Sequence, residues 1–246
     1  MHALILAAGD GGRLYPLTDG VPKPLLKLGG RPIINHVLDG LFANGIQHAT
    51  IVTGYHGEKL RDALGNVSPC GMTLSFVENA AFELGNARSI WAARDVMPRE
   101  TGFVLAMGDH HVEPALTAAL IKGAGTRCRL AVDHAEPGDP RADEATRARV
   151  RAGHVMDLGK ALDDWNALDT GAFWCTPAIF DVITPELRDG EAGAVFASLA
   201  RAGELEAVDV TGMRWIDIDT PDDLRTAHAM MATHGGGPKV RRGQVA

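Results

Sequence analysis

Apolar positions along this chain follow two periods in turn. Residues 3–8 form a short run without charge, and residues 49–53, 73–77 and 103–107 are similar in length and character. Such runs suit strands buried on both faces of a parallel sheet. Between them the apolar positions fall at helical spacing. Ile33, Ile34, Val37, Leu38, Leu41 and Phe42 make one stripe, which predicts a helix opened by Pro32 at its first position and ended by Asn44-Gly45. Residues 58–64 predict the next helix. Asn86 predicts a cap for a helix running to residue 96, stopped by Pro98. Pro114 opens another to residue 121, and residues 129–132 are again strand-like. Strands alternating with helices predict an α/β fold: a doubly wound, mostly parallel, Rossmann-like sheet.

The second half departs from this rhythm. Residues 150–155, with Ala152-Gly153 at their centre, predict a small antiparallel hairpin insertion. The charged stretch 139–149 predicts an exposed loop or short helix. Residues 172–175 and 214–218 predict strands. Residues 221–231 predict a helix with Asp222 and Asp223 in its favoured first turn. Residues 1–233 therefore read as one domain. Residues 234–246, Gly-rich and then basic at Lys239, Arg241 and Arg242, read as a disordered tail.

Composition narrows the function classes. The chain has 246 residues, 46% of them hydrophobic, enough for a sizeable core and against disorder. Its formal net charge of −7, with no basic run before the tail, argues against nucleic acid or an anionic membrane as the main partner. Cys70, Cys128 and Cys175 show no CxxC or zinc spacing and read as reduced cysteines. No apolar run reaches membrane-spanning length, and the first residues lack the basic segment of a signal peptide. A soluble, cytoplasmic protein is expected.

The candidate chemistry begins where the first strand ends. Residues 6–18 read LAAGDGGRLYPLT, followed by Pro22-Lys23-Pro24. Gly9, Gly11 and Gly12 allow turn amides to form an anion-binding concavity. Arg13 adds a fork of donors suited to phosphate oxygens. Val21 and Lys23 each precede a proline, which predicts extended backbone and a stiff mount for the Lys23 ammonium. Two better-known phosphate loops are excluded. A dinucleotide fingerprint needs glycine where Leu14 stands, and a Walker A loop needs Ser or Thr where Ala161 follows Gly159-Lys160. Asp109, after the strand 103–107, and Asp217 and Asp219, at the end of 214–218, fall where open parallel sheets bind ligands. Carboxylates from two strands, with phosphate oxygens, suit Mg²⁺. His110 and His111 are adjacent, so on extended backbone they point apart and do not chelate together; surface or hydrogen-bonded histidines are expected.

The pattern of residues 6–18 with Pro22-Lys23-Pro24 resembles the nucleotidyltransferases that join a nucleoside triphosphate to a phosphorylated sugar or alcohol. Gly85-Asn86, Gly108-Asp109-His110, Gly159-Lys160, Asp169-Thr170-Gly171 and residues 215–220 match later landmarks in order, so the resemblance covers residues 1–231. It is nearest to the cytidylyltransferases acting on inositol 1-phosphate, with the phosphocholine enzymes next. It implies Arg13 and Lys23 as catalytic residues. It implies nucleotide contacts from Leu6, Ala7, Ala8, Gly9, Gly11, Gly12, Gly85 and Asn86. Mg²⁺ falls to Asp109 with Asp217 or Asp219, and the acceptor to Lys160, Asp169 and Gly171. Lys160 reads equally well as a solvated loop lysine, and Asn86 as a plain helix cap.

The implied reaction is attack by a phosphate monoester on the α-phosphorus of a nucleotide, CTP favoured. The monoester's second pKa is about 6, so the attacking group is already ionised at neutral pH and needs no general base. Positioning and charge neutralisation remain the enzyme's tasks. The same residues leave open a phosphocholine enzyme with Trp165, Trp174 and Trp215 around the ammonium, and a sugar-1-phosphate uridylyl- or thymidylyltransferase. They also leave open a silent regulatory subunit of the same fold. The resemblance further implies a link to a membrane CDP-alcohol phosphotransferase, although this chain carries no membrane segment itself.

Overall fold

The first apolar run becomes β1 (His2–Ala7), and its alternation splits the core in two. Ala3, Ile5 and Ala7 face one apolar cluster while Leu4 and Leu6 face another, as the period of two along a strand requires. The structure is a computed structural model that describes residues 1–232; the expected tail, 234–246, lies outside the described residues. After two short strands, β2 (Lys27–Leu28) and β3 (Arg31–Pro32), come α1 (Ile33–Phe42), β4 (His48–Thr53), α2 (Gly57–Leu64) and β5 (Thr73–Glu78). Then follow α3 (Ala87–Ala92), β6 (Phe103–Met107), β7 (His110–Val112) and α4 (Pro114–Ile121). β5, β4, β1 and β6 are parallel neighbours in that order. The cluster on one face takes Ile34, Val37 and Leu38 of α1, Leu60 of α2 and Leu116 of α4. The other takes Ile90 of α3. This is the expected doubly wound α/β arrangement.

The second half adds β8 (Cys128–His134), β9 (Arg147–Arg151), β10 (His154–Gly159) and β11 (Ala167–Cys175). It continues through α5 (Ile179–Val182), α6 (Pro185–Arg188), α7 (Ala192–Arg201), β12 (Leu205–Asp209), β13 (Trp215–Asp217) and α8 (Pro221–Ala232). The main sheet has nine strands in the order β5-β4-β1-β6-β11-β8-β12-β10-β9. The expected hairpin is present as β9–β10. Ala152 (φ 50°) and Gly153 (φ 77°) occupy its turn, both in the positive-φ region that a tight two-residue hairpin demands. The antiparallel share exceeds that hairpin, because β11 runs antiparallel to β6, β8 and β9.

Several local expectations are corrected. Pro32 precedes α1 in extended geometry (φ −51°, ψ 141°) instead of forming its first residue. α3 ends at Ala92, and the chain continues through i→i+3 bonds such as Val96 N–H to Ala93 O. Asn86 makes no side-chain cap; its Oδ1 accepts from the Ala192 N–H at 2.5 Å, tying this turn to the start of α7. Lys23 opens a single 3-10 turn, Lys23–Leu25, where extended backbone was expected. Leu25 N–H donates to Pro22 O at 2.8 Å, and Pro24, having no N–H, loses nothing in a first turn. The charged stretch 139–149 is divided between a 3-10 turn over Pro140–Asp143 and the strand β9. Among the described residues, no helix is long and apolar enough to cross a membrane.

α8 begins with a reciprocal cap. Asp223 Oδ2 accepts from the Thr220 N–H at 2.7 Å and from the Asp219 N–H at 3.1 Å, and Asp223 N–H donates to Thr220 Oγ1 at 3.2 Å. Such a box satisfies N–H groups that a helix start leaves open. Thr220→Ala should cost about 1 kcal/mol and lower the thermal midpoint by about 2–4 °C in a chain of this size. A melting curve for the single variant checks this.

Candidate active site

The loop after β1 is built around one lysine. Gly11 adopts the left-handed conformation (φ 64°, ψ 32°), and a Cβ there would stand 2.9 Å from Lys23 Cβ. Only glycine satisfies both the backbone angle and the space. Thr18 Oγ1 donates to Gly11 O at 3.1 Å and Leu14 N–H donates to the same oxygen at 2.9 Å, closing the loop. Leu6, Ala7 and Ala8 are buried at the strand end, while Gly9 and Gly12 border the loop's open side. The Lys23 side chain is 6% exposed.

Lys23 lies among three carboxylates. Its Nζ is 2.7 Å from Asp109 Oδ2 and 3.7 Å from Asp217 Oδ1, and it is hydrogen-bonded to Asp219 Oδ1. Arg13 reaches the other oxygen of Asp219. Asp109 follows β6 at its carboxyl end, where Gly108 N–H donates to Leu6 O of β1 at 2.8 Å. Asp217 arrives by a different route. β13 and β7 form their own two-stranded antiparallel sheet, whose register sets Asp217 opposite His110 and Ile216 opposite His111. His110 Nε2 is therefore 3.3 Å from Asp217 Oδ1 and 3.8 Å from Asp109 Oδ1.

Charge follows from this geometry. Burial alone would lower the Lys23 pKa, but Asp109, Asp217 and Asp219 outweigh it and raise it, so the ammonium persists across the physiological range. Burial would raise Asp219, yet Lys23 and then Arg13 hold it down to about 2. Asp109 stays below its ordinary value because Lys23 and His110 overcome its burial. Burial would lower His110, but Asp217 and Asp109 push it up to about 9.

The expected surface or hydrogen-bonded role for the histidine pair divides between the two. His110 is drawn into the carboxylate cluster, with Nδ1 donating to Thr170 O at 3.2 Å. His111 faces the other side, with its ring edge-on to His36 at 5.8 Å and beside a cavity of about 350 Å³ shared with Glu113 and Arg214. The adjacency in sequence concealed His110's place. The antiparallel pairing of β7 with β13 creates it.

Asp169 accepts from the Gly171 N–H at 2.7 Å, and burial pushes its carboxyl up to about 6. Gly171 packs against the His110 ring: a Cβ there would stand 2.2 Å from His110 Cε1. Phe173 pairs with Leu105 in antiparallel register, so residues 169–171 of β11 lie toward the carboxyl end of β6, which Asp109 follows. Lys160 is exposed in the turn after β10. Arg147 of β9 stands opposite both Gly159 and Leu168, so β9 lies between the turn that carries Lys160 and the strand that carries Asp169. Gly85 and Asn86 lie in the turn before α3, held to the α7 start through Asn86. Trp165 and Trp174 are buried in apolar clusters. The Trp215 indole N–H donates to Asp133 Oδ2 at 2.9 Å.

The cluster fits a divalent cation. Asp109, His110 and Asp217 each offer a ligand atom, all within 4.8 Å of one another. Asp217 Oδ1 is a buried oxygen without a hydrogen-bond partner among the described residues, with His110 Nε2 at 3.3 Å and Lys23 Nζ at 3.7 Å, and a bound cation would satisfy it. Oxygens from two carboxylates suit Mg²⁺, which takes its remaining ligands from phosphates and water. Asp219 is engaged by Lys23 and Arg13 and lies against Asp217.

A glycine loop on the central parallel strand, a buried lysine and carboxylates from separate strands suit a triphosphate. Residues 2–131 match the model of the family described as nucleotidyl transferase. The chain belongs to the nucleotidyl transferase family.

Several relatives within it are similar along nearly the whole chain. A Rubrobacter xylanophilus protein named bifunctional IPC transferase and DIPP synthase is 34% identical over 97% of this chain and 55% of its own length. This nucleotidyltransferase chain spans about half the length of the bifunctional relatives it matches. The N-acetylmuramate alpha-1-phosphate uridylyltransferase of Neisseria meningitidis is 29% identical over 94% of this chain and 98% of its own. Among solved structures, the inositol-1-phosphate CTP transferase from T. maritima superposes with a TM-score of 0.81 at 26% identity, covering 96% of this chain and 97% of its own.

Proposed function

We propose that this nucleotidyltransferase is a Mg²⁺-dependent cytidylyltransferase that joins CTP to inositol 1-phosphate, giving a CDP-alcohol and pyrophosphate. An oxygen of the acceptor phosphate bonds to the α-phosphorus while the bond from that phosphorus to the bridging oxygen of pyrophosphate breaks. The observation that carries this reading is the buried Lys23 ammonium, placed between the glycine loop and the strand ends bearing Asp109, Asp217 and Asp219. Lys23 and Arg13 neutralise charge that builds on the α-phosphate and the leaving group. Gly9, Gly11 and Gly12 let backbone amides approach the phosphates. Asp109 and Asp217 would hold Mg²⁺, which when bound neutralises and orients the triphosphate. Asp219 orients Lys23 and Arg13. Leu6, Ala7, Ala8, Gly85 and Asn86 shape the nucleotide side. Lys160 meets the acceptor phosphate, and Asp169 and Gly171 border its hydroxyls.

The base and the acceptor rest on the relatives named for IPC transfer and on the T. maritima inositol-1-phosphate CTP transferase. A polyol fits a site with polar groups such as Asp169, which rejects analogues lacking the hydroxyls. Two of the three tryptophans considered for a choline cage lie in apolar clusters and Trp215 is hydrogen-bonded, which weighs against phosphocholine. One observation favours a second reading: nearly the full length of the Neisseria uridylyltransferase matches, which supports UTP with a sugar 1-phosphate. A link to a membrane CDP-alcohol phosphotransferase belongs to the proposal, supported by the bifunctional relatives of which this chain spans about half.

Specificity constants for all four nucleoside triphosphates against inositol 1-phosphate, phosphocholine and glucose 1-phosphate test the assignment by pyrophosphate release. CTP with inositol 1-phosphate should lead. A tenfold advantage, about 1.4 kcal/mol, for UTP or dTTP with the hexose phosphate would reverse it. His111→Ala should keep most of its turnover, since the attacking phosphate needs no base. A drop of about a thousandfold, the scale of a lost general base, with rescue by imidazole would refute that.

A further inference from the structure

A carbonyl oxygen only accepts, so the contact of His110 Nδ1 with Thr170 O at 3.2 Å places a proton on Nδ1. Nε2 is then the nitrogen that faces Asp217 Oδ1 at 3.3 Å and Asp109 Oδ1 at 3.8 Å, and a metal ion bound there takes the place of any proton on it. Adjacent ligands of an octahedral ion at about 2.1 Å stand about 3.0 Å apart; the 3.3 and 3.8 Å separations are longer by less than 1 Å, and all three atoms lie within 4.8 Å of one another. Lys23 takes Oδ2 of Asp109, at 2.7 Å, and leaves Oδ1 on the His110 side. The ring is held from two directions. The β7–β13 register sets it against Asp217, and Gly171 leaves room that a Cβ, 2.2 Å from Cε1 and 2.3 Å from Nδ1, would fill. A hydrogen bond from one ring nitrogen to a backbone carbonyl, with the other nitrogen free, is the usual mount of a metal-bound histidine.

We propose that His110 Nε2 is a third protein ligand of the divalent ion, beside Asp109 and Asp217. The inference deepens the Mg²⁺-dependent reading above and rests on it. An imidazole nitrogen in the set favours Mn²⁺ over Mg²⁺, whose preference is for oxygen alone. Gly171 acts through the ring: it is the clearance that keeps Nε2 aimed at the ion.

Pulsed electron paramagnetic resonance of the full chain loaded with Mn²⁺ alone reads nitrogen ligation directly. The expected spectrum shows ¹⁴N coupling from one imidazole, converted to ¹⁵N coupling when the protein carries ¹⁵N-histidine. The coupling should vanish in His110→Ala and Gly171→Ala and persist in His111→Ala. Mn²⁺ affinity should fall at least about tenfold in His110→Ala, with a smaller loss for Mg²⁺ measured by competition. Bound Mn²⁺ without coupled nitrogen in the unsubstituted protein overturns His110 as a ligand and leaves the transfer reaction standing. A coupling that survives His110→Ala overturns it as well. Failure of the unsubstituted protein to bind Mn²⁺ at all overturns both this inference and the metal-dependent reading. The labelled, unsubstituted protein decides the question even where a variant folds poorly.

Discussion

Lys23→Ala loses at least about a hundredfold in turnover, since removal of one preorganised charge donor costs about 3 kcal/mol. The size of the effect follows from placement. The side chain is 6% exposed and lies between the glycine loop and three carboxylates, so water replaces it poorly. Lys23→Arg should also lose activity, because the guanidinium fork is larger than an ammonium and Gly11 already packs closely on the Lys23 stem. The alanine variant carries a second signature. Asp109, Asp217 and Asp219 lose their shared cation, so added Mg²⁺ should raise the variant's melting temperature more than that of the unsubstituted protein. Steady-state turnover and melting curves with and without Mg²⁺ test both points. Near-normal turnover in a folded Lys23→Ala protein would remove Lys23 from the chemistry.

Asp109→Asn should be the most damaging single substitution, reducing activity by at least about a thousandfold, or about 4 kcal/mol of transition-state stabilisation, if the ion it holds carries the triphosphate charge. The carboxamide keeps the shape and lacks the charge, and Asp217 and Asp219 remain beside Lys23, so the fold should survive. Circular dichroism and divalent-ion titration separate a lost ion from a lost fold. The sharpest check is a nucleotide-bound crystal structure. Direct Mg–O distances are about 2.1 Å, so an ion more than about 4 Å from the carboxylates of Asp109, Asp217 and Asp219 contradicts the assignment.

The parallel half of the fold was legible because its signals are local. β1, β4, β5 and β6 are apolar runs of strand length, and the stripe from Ile33 to Leu41 is strongly periodic. α7 carries an equally readable pattern, with Ala192, Val195, Phe196, Leu199 and Ala200 all buried at helical spacing. The Asn86 cap failed for a different reason. A cap is a local preference, and a partner far along the chain, the Ala192 N–H, claimed the same side chain.

The sequence by itself determined the inventory: a glycine loop at the end of a buried strand, a lysine braced by prolines, and aspartates at strand ends. It determined the doubly wound class as well, since periods of two and 3.6 are properties of neighbouring residues. Only the tertiary structure decided which of those residues meet. Asp217 and Asp219 are two positions apart, yet the β7–β13 register turns Asp217 toward His110 and Asp109, while Asp219 pairs with Lys23 and Arg13. His110 and His111 are neighbours with opposite surroundings because successive strand residues face opposite sides. Gly171, read from the sequence as an acceptor contact, also leaves the clearance that the His110 ring occupies. The placement of Asp217 depends on a strand pairing between segments about a hundred residues apart, and no periodicity within either segment encodes that register.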